Sequence, residues 1–142
     1  MSAAAPDAAA GGPRPRIRRF ESPSAIAMNV EQARFNMIEQ QIRTWNVLDP
    51  AVLSLLAVVR REDFVPVAYR ALAFVDTEVP LPEGQSMLAP KVEARILQEL
   101  NLQRHERVLE IGAGSGFMAA LLAHRARSVI SQTRCWRTAR VR

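Results

Sequence analysis

Apolar positions recur at helical spacing from residue 30 onward. In NVEQARFNMIEQQIRTW (29–45), Val30, Ala33, Phe35, Met37, Ile38, Ile42 and Trp45 fall near one helical period, and Asn29 can serve as N-cap. LDPAVLSLLAVVRREDF (48–64) opens a second helix with Asp49 as N-cap and Pro50 at the first helical position, and this helix should end near Arg60. FVPVAYRALAFVDTEVPLPEG (64–84) holds no such period and reads as irregular or short extended structure. APKVEARILQELNL (89–102) predicts a third helix, with Pro90 in its first turn and Val92, Ile96, Leu97 and Leu100 on one face. Then the pattern changes. ERVLEIG (106–112) is a short apolar run with one embedded acid, suited to a strand buried on both faces as in a parallel sheet. GFMAALLAHRA (116–126) is a helix of good helix formers, and ARSVIS (126–131) opens a second strand. The order is three helices, then strand, glycine turn, helix and a further strand, an α/β arrangement.

Composition and charge narrow what this pattern can do. A chain of 142 residues with 49% hydrophobic content can bury one domain core. No apolar run approaches the ~18 residues of a membrane span. The single Cys135 supports neither a disulfide framework nor a cysteine metal site, and His105 and His124 stand apart. The formal net charge is +5, but its sources are the two ends. Arg14, Arg16, Arg18 and Arg19 lie in an Ala/Pro/Gly-rich opening, and Arg134, Arg137, Arg140 and Arg142 lie in the last nine residues. Residues 22–131 carry 11 basic and 12 acidic side chains, so the foldable part is near neutral. A nucleic-acid surface should instead form a basic patch on a domain face, so no nucleic-acid partner is expected, nor a membrane. A cytoplasmic location follows as the expectation. Residues 1–28 read as a disordered extension. An arginine-rich transit peptide and translation from Met28 are the alternatives. Among single residues, Trp45 and Phe64 read as core anchors and His105 as solvated. Arg60 and Arg61 with Glu62 and Asp63 read as a mixed-charge helix end.

The chemistry concentrates in E-I-G-A-G-S-G-F, where Gly112, Gly114 and Gly116 follow a strand and precede a helix. Glycines let the chain turn sharply and bring bare backbone against a ligand, while the helix start offers free amides. A P-loop would need Gly-Lys-Ser/Thr, and no lysine is present. The dinucleotide fingerprint G-x-G-x-x-G would place its third glycine at Phe117. The spacing G-x-G-x-G, with Glu110 two positions before it, resembles motif I of the Rossmann-like S-adenosylmethionine-dependent methyltransferases. Upstream, R-E-D-F-V-P (61–66), A-F-V-D-T (73–77) and P-L-P-E-G-Q-S-M-L-A-P (80–90) extend the likeness, and from about Val30 to Val129 the chain resembles the protein-L-isoaspartate O-methyltransferase family. The resemblance implies an α/β, Rossmann-like class I methyltransferase fold, here its N-terminal helical part plus the first βα unit. It implies S-adenosyl-L-methionine as cofactor, bound by Glu110, Gly112, Ala113, Gly114, Ser115 and Gly116 together with Gln85, Ser86 and Met87. It also implies a protein or peptide acceptor with damaged aspartyl residues, methylated on a carboxylate.

Two departures bear on activity. Where the family carries G-Q-T-I-S-Q-P, this chain has G-Q-S-M-L-A-P, so the serine regarded as catalytic falls on Leu88 and the next glutamine on Ala89. Ser86 lies two residues away, about 6–7 Å along an extended segment. A carboxylate with a pKa near 4 is already nucleophilic, so an orienting serine assists the transfer without being its sole source. No catalytic residue is assigned on the sequence. The second departure is the absent acid about 20 residues past the glycine turn, where Rossmann-like domains bind ribose hydroxyls. Thr133 stands near that position, and no acid follows Glu110. The domain reading is therefore 29–131 for the N-terminal part of the methyltransferase domain and 132–142 for an atypical basic tail. A frameshifted end is the expectation for that tail, and a genuine arginine tail that binds RNA or membranes is the alternative. A chain of this extent is expected to leave sheet edges open, to fold poorly or associate, and to bind cofactor weakly or not at all. It is either a weak or inactive methyltransferase or a non-catalytic binding fragment of the same fold.

Overall fold

The computed structural model describes residues 23–133 and 139–141. Of the extension expected to be disordered over residues 1–28, residues 1–22 lie outside the described residues, as do the segment 134–138, with Cys135, and Arg142. The first helix, α1, spans Pro23–Met37 and runs on through a π-helical turn at Ile38–Ile42 and a 3-10 turn at Arg43–Trp45. It begins ahead of Asn29, so the N-cap placed there is corrected and the boundary at residue 28 falls inside a helix. The Thr44 hydroxyl, bonded to the Gln40 and Gln41 carbonyls at 3.0 Å, occupies acceptors at the helix end. Asn46 then takes the left-handed conformation (φ 61) that stops it. Met37, Ile38 and Ile42 enter the core, as their spacing predicts. Trp45 does not. It is 50% exposed, with the Lys91 ammonium 4.2 Å from its ring centroid, so its reading as a core anchor is corrected.

The second helix, α2, covers Pro50–Val58, with the Asp49 carboxylate accepting from the Ala51 amide at 2.8 Å. Val52, Leu53, Leu55 and Leu56 supply its buried side. A single glutamine fastens the turn before it. Gln98 Oε1 accepts from the Leu48 and Asp49 amides at 2.8 and 3.0 Å, and its Nε2 donates to the Asn46 carbonyl at 3.1 Å. Replacing Gln98 with alanine leaves the Leu48 and Asp49 amides to solvent, and a stability loss of about 0.5–1.5 kcal/mol is expected in urea unfolding.

Residues 64–89 contain 3-10 turns and a small antiparallel pair, β1 (Val79–Pro80) with β2 (Ser86–Met87), in the register Val79↔Met87. Helix α3 follows over Pro90–Leu100 and ends at Asn101 in the left-handed conformation (φ 43). Its inward face is Pro90, Glu93, Ala94 and Leu97. Of the apolar face read from the sequence only Leu97 is buried, while Ile96 and Leu100 are exposed. The helix is rotated because Glu93 points inward to a buried partner, Arg61.

Strand β3 (Arg107–Ile111), helix α4 (Phe117–Arg125) and strand β4 (Ser128–Gln132) form a βαβ unit with parallel strands, Arg107 opposite Ser128 and Ile111 opposite Gln132. Strand β5 (Ala139–Val141) runs antiparallel on the far edge of β4, so part of the basic tail joins the sheet. Leu121, Leu122 and Phe117 of α4 cover Val129, and this layer joins the core made by Ile42, Val52, Leu56 and Leu97. Phe64, half-buried, meets Phe117 edge-on at 5.4 Å, in keeping with its role as an anchor. The other face of β3 is open. Leu109 is 63% exposed and Ile111 80%, so the strand is covered on one face among the described residues and not on both as its pattern predicts.

Candidate functional site

The glycine turn is built by the end of the βαβ unit. The Gly112 and Ala113 amides donate to the Gln132 carbonyl at 2.8 and 3.2 Å, which ties the turn to the tip of β4. Gly112, Gly114 and Gly116 all have positive φ, of 90, 53 and 85, so the backbone path favours glycine at each. Gly116 begins α4, and its carbonyl accepts from the Ala120 amide. A Cβ at Gly114 would lie 3.3 Å from Leu81 Cδ1, because the turn packs against the β1–β2 connection.

Between these parts is a cleft of about 470 Å³. Gln85 and Ser86 form one wall, Ile111, Gly112 and Gly114 the other, and Gln132 and Thr133 close the end. Of the residues assigned from the sequence, Gln85, Ser86, Gly112 and Gly114 therefore meet in one place. Ala113, Ser115 and Gly116 belong to the turn without lining the cleft. The Ser115 hydroxyl accepts from the Phe117 amide at 3.4 Å. Met87 is 3% exposed and packs in the core opposite Val79. Glu110 also stays out of the cleft, its carboxylate accepting from the Ser131 hydroxyl across the strand pair. Cleft-lining residues that the sequence reading did not assign are Ile111, Gln132 and Thr133. The signal for them was positional: they occupy the carboxyl ends of adjacent parallel strands, where such sheets hold ligands. Thr133 is where the sequence pattern places the missing acid. The Ser86 hydroxyl donates to Glu78 at 2.7 Å, while Leu88 is part-exposed and outside the cleft lining. His105 is exposed, as expected. No cluster of three metal-ligating side chains is present among the described residues.

A buried ion pair holds the walls in place. Arg61, read from the sequence as part of a mixed-charge helix end, is 1% exposed and belongs to the interior. It donates to the Glu93 carboxylate, to the Ala73 carbonyl at 3.0 Å and to the Leu88 carbonyl at 2.6 Å, and its guanidinium lies 5.2 Å from the centre of the Phe117 ring. It thereby joins α3, the segment leading from Gln85 and Ser86, and the first residue of the helix after the glycine turn. Burial pushes the Glu93 carboxyl up to about 7 against the pull of Arg61, with Glu110 adding to the rise. Burial likewise lowers Arg61 from its ordinary value.

Residues 32–134 match the family model for Protein-L-isoaspartate(D-aspartate) O-methyltransferase. The chain is 43% identical over 107 residues to protein-L-isoaspartate O-methyltransferase 2 of Anaeromyxobacter sp., covering 75% of this chain and 44% of that one. It is 42% identical over 101 residues to the corresponding enzyme of Herpetosiphon aurantiacus, covering 71% and 45%. It thus spans a little under half the length of these relatives. In fold it is similar to a Plasmodium falciparum protein assigned to the same enzyme class and solved in complex with S-adenosyl-L-homocysteine. That match has a TM-score of 0.59 and 21% identity, over 75% of this chain and 49% of that one. The α/β arrangement is therefore the Rossmann-like methyltransferase fold in its N-terminal part, and the chain belongs to the protein-L-isoaspartate O-methyltransferase family.

Proposed function

We propose that this chain carries the S-adenosyl-L-methionine cleft of a methyltransferase whose acceptor is a carboxylate on a damaged aspartyl residue of a protein or peptide. The observation that carries this reading is the convergence of Gly112 and Gly114 with Gln85 and Ser86 around one cleft at the carboxyl ends of parallel strands. The residues fit such a group in kind. The positive-φ turn keeps side chains off the backbone, and the cleft lining is uncharged, with amide and hydroxyl groups from Gln85, Ser86, Gln132 and Thr133 as donors and acceptors. The bound cofactor would supply an electrophilic methyl group. The chain's own contribution is to hold it through the turn and the Gln85–Ser86 wall, and to keep its methyl end aligned with an incoming carboxylate. Glu110, bonded to Ser131, supports the strand end beneath the turn.

A second reading has its own support: a non-catalytic cofactor-binding fragment of the same fold. It is favoured by Leu88, which has no hydroxyl, and by Thr133 where a ribose-binding carboxylate would stand. Both readings expect saturable, one-to-one binding of S-adenosyl-L-homocysteine in calorimetry and none of NAD. They part in a radiolabelled-methyl assay on an isoaspartyl peptide. Label in the peptide supports the enzyme, and binding without label supports the fragment. No binding in calorimetry removes both.

A further inference from the structure

A second concave site lies away from the cleft and shares no residue with it. It is a groove of about 550 Å³ between α2, the segment after α3 and the last turn of α4, larger than the glycine-turn cleft. Its floor is apolar, from Leu55, Val58 and Leu102. Val58 is 69% exposed, an apolar side chain left facing solvent at the end of a helix whose leucines and Val52 are buried. Its rim carries the guanidiniums of Arg104 and Arg125, with His124 beside them, and the lining contains no acid. Two acids lie beside it, and one of them, Asp49, pairs with the rim. Glu106 accepts from the Gln103 amide at 2.8 Å, and Asp49 accepts from the Ala51 amide at 2.8 Å. Through its other oxygen Asp49 forms an ion pair with Arg125 at 3.7 Å, beyond hydrogen-bond length, so part of the Arg125 charge is offset while its N–H groups keep room for a closer acceptor. Arg104 makes no ion pair among the described residues. The negative end of the α4 dipole faces the same rim with about half an elementary charge, and together with the Asp49 carboxylate it leaves the two guanidiniums a reduced but still positive balance.

From this we infer a binding site for an organic carboxylate carried on an apolar body, the carboxylate held by Arg104 and Arg125 and the body laid on Leu55, Val58 and Leu102. The size and make-up suit such a ligand, since small-molecule sites are mostly apolar with a few convergent polar groups. A planar carboxylate matches the guanidinium fork, which can donate two parallel N–H groups to it. The site does not depend on the cofactor reading, because it lies at the opposite end of α4 from the glycine turn.

The test titrates the full chain with 4-phenylbutyrate and, in parallel, with 4-phenylbutyramide, the neutral analogue of the same shape, following amide shifts by NMR. Saturable shifts confined to residues 51–58, 102–104 and 123–126 are expected for the carboxylate, with at least tenfold weaker binding of the amide. Arg104→Gln is expected to weaken the carboxylate at least fivefold, and Val58→Glu to abolish its binding. Both positions are exposed, so each variant should keep the native spectrum elsewhere. Equal binding of acid and amide, an unchanged Arg104→Gln titration, or absence of saturable shifts in the groove would each overturn the inference.

Discussion

Replacing Arg61 with alanine is expected to lower the free energy of unfolding by about 3–5 kcal/mol at pH 8. The loss is large because the variant leaves Glu93 buried without its partner, frees the Ala73 and Leu88 carbonyls, and opens space beside Phe117. The cost should depend on pH in a direction fixed by Glu93. Its folded-state carboxyl titrates near 7, above its ordinary 4.5, with burial the main cause. A group raised on folding contributes stability that is fully present below its unfolded value and is lost as pH rises through the folded one. Wild-type stability from this group should therefore fall between about pH 5 and pH 8, and Glu93→Gln should flatten that slope. The Arg61→Ala penalty should be smaller at pH 6, where Glu93 can take up a proton, than at pH 8. Urea unfolding at four pH values checks both. A penalty that grows toward acid would mean the pair is not the buried contact described.

Gly114→Val is expected to cut affinity for S-adenosyl-L-homocysteine at least tenfold. At φ 53 a β-branched residue is strained, by roughly 1–2 kcal/mol, and its Cβ would meet Leu81 Cδ1 at 3.3 Å. Leu81 can shift, so the larger effect comes from the displaced turn and from side-chain atoms placed at the cleft wall. Gly84→Val supplies the control. Gly84 also has positive φ (69) but nothing within 4 Å of a Cβ, and it lies outside the cleft lining. It should lose comparable stability and keep affinity, as measured by calorimetry and thermal melting. If the two variants bind equally well, the turn is not a ligand wall.

What could be read in advance follows from what each signal reports. The βαβ unit was legible because the glycine triplet, the strand run and the helix formers from Phe117 to Arg125 all point the same way locally. Asp49 and Pro50 marked the start of α2 for the same reason. Apolar periodicity failed where charge was internal: Arg61 and Glu93 pair across the core, which rotates α3, buries Glu93 and leaves Ile96 and Leu100 outside. No one-dimensional pattern links residues 61 and 93. Trp45 looked like core by size alone, yet a lysine covers its ring at the surface. In the candidate site, the glycines and Gln85–Ser86 were visible as motifs. Ile111, Gln132 and Thr133 came only with the strand register, which sets Ile111 opposite Gln132.

The central claim is that the cleft between the glycine turn and the Gln85–Ser86 wall holds S-adenosyl-L-methionine. Its most direct test is a backbone NMR titration of the chain with S-adenosyl-L-homocysteine. The expected result is weak, saturable, fast-exchange shifts at Gln85, Ser86, Gly112, Gly114, Gln132 and Thr133, with the α2 amides unmoved. Shifts centred elsewhere, or none at ligand concentrations far above those that saturate a full-length relative, would contradict it.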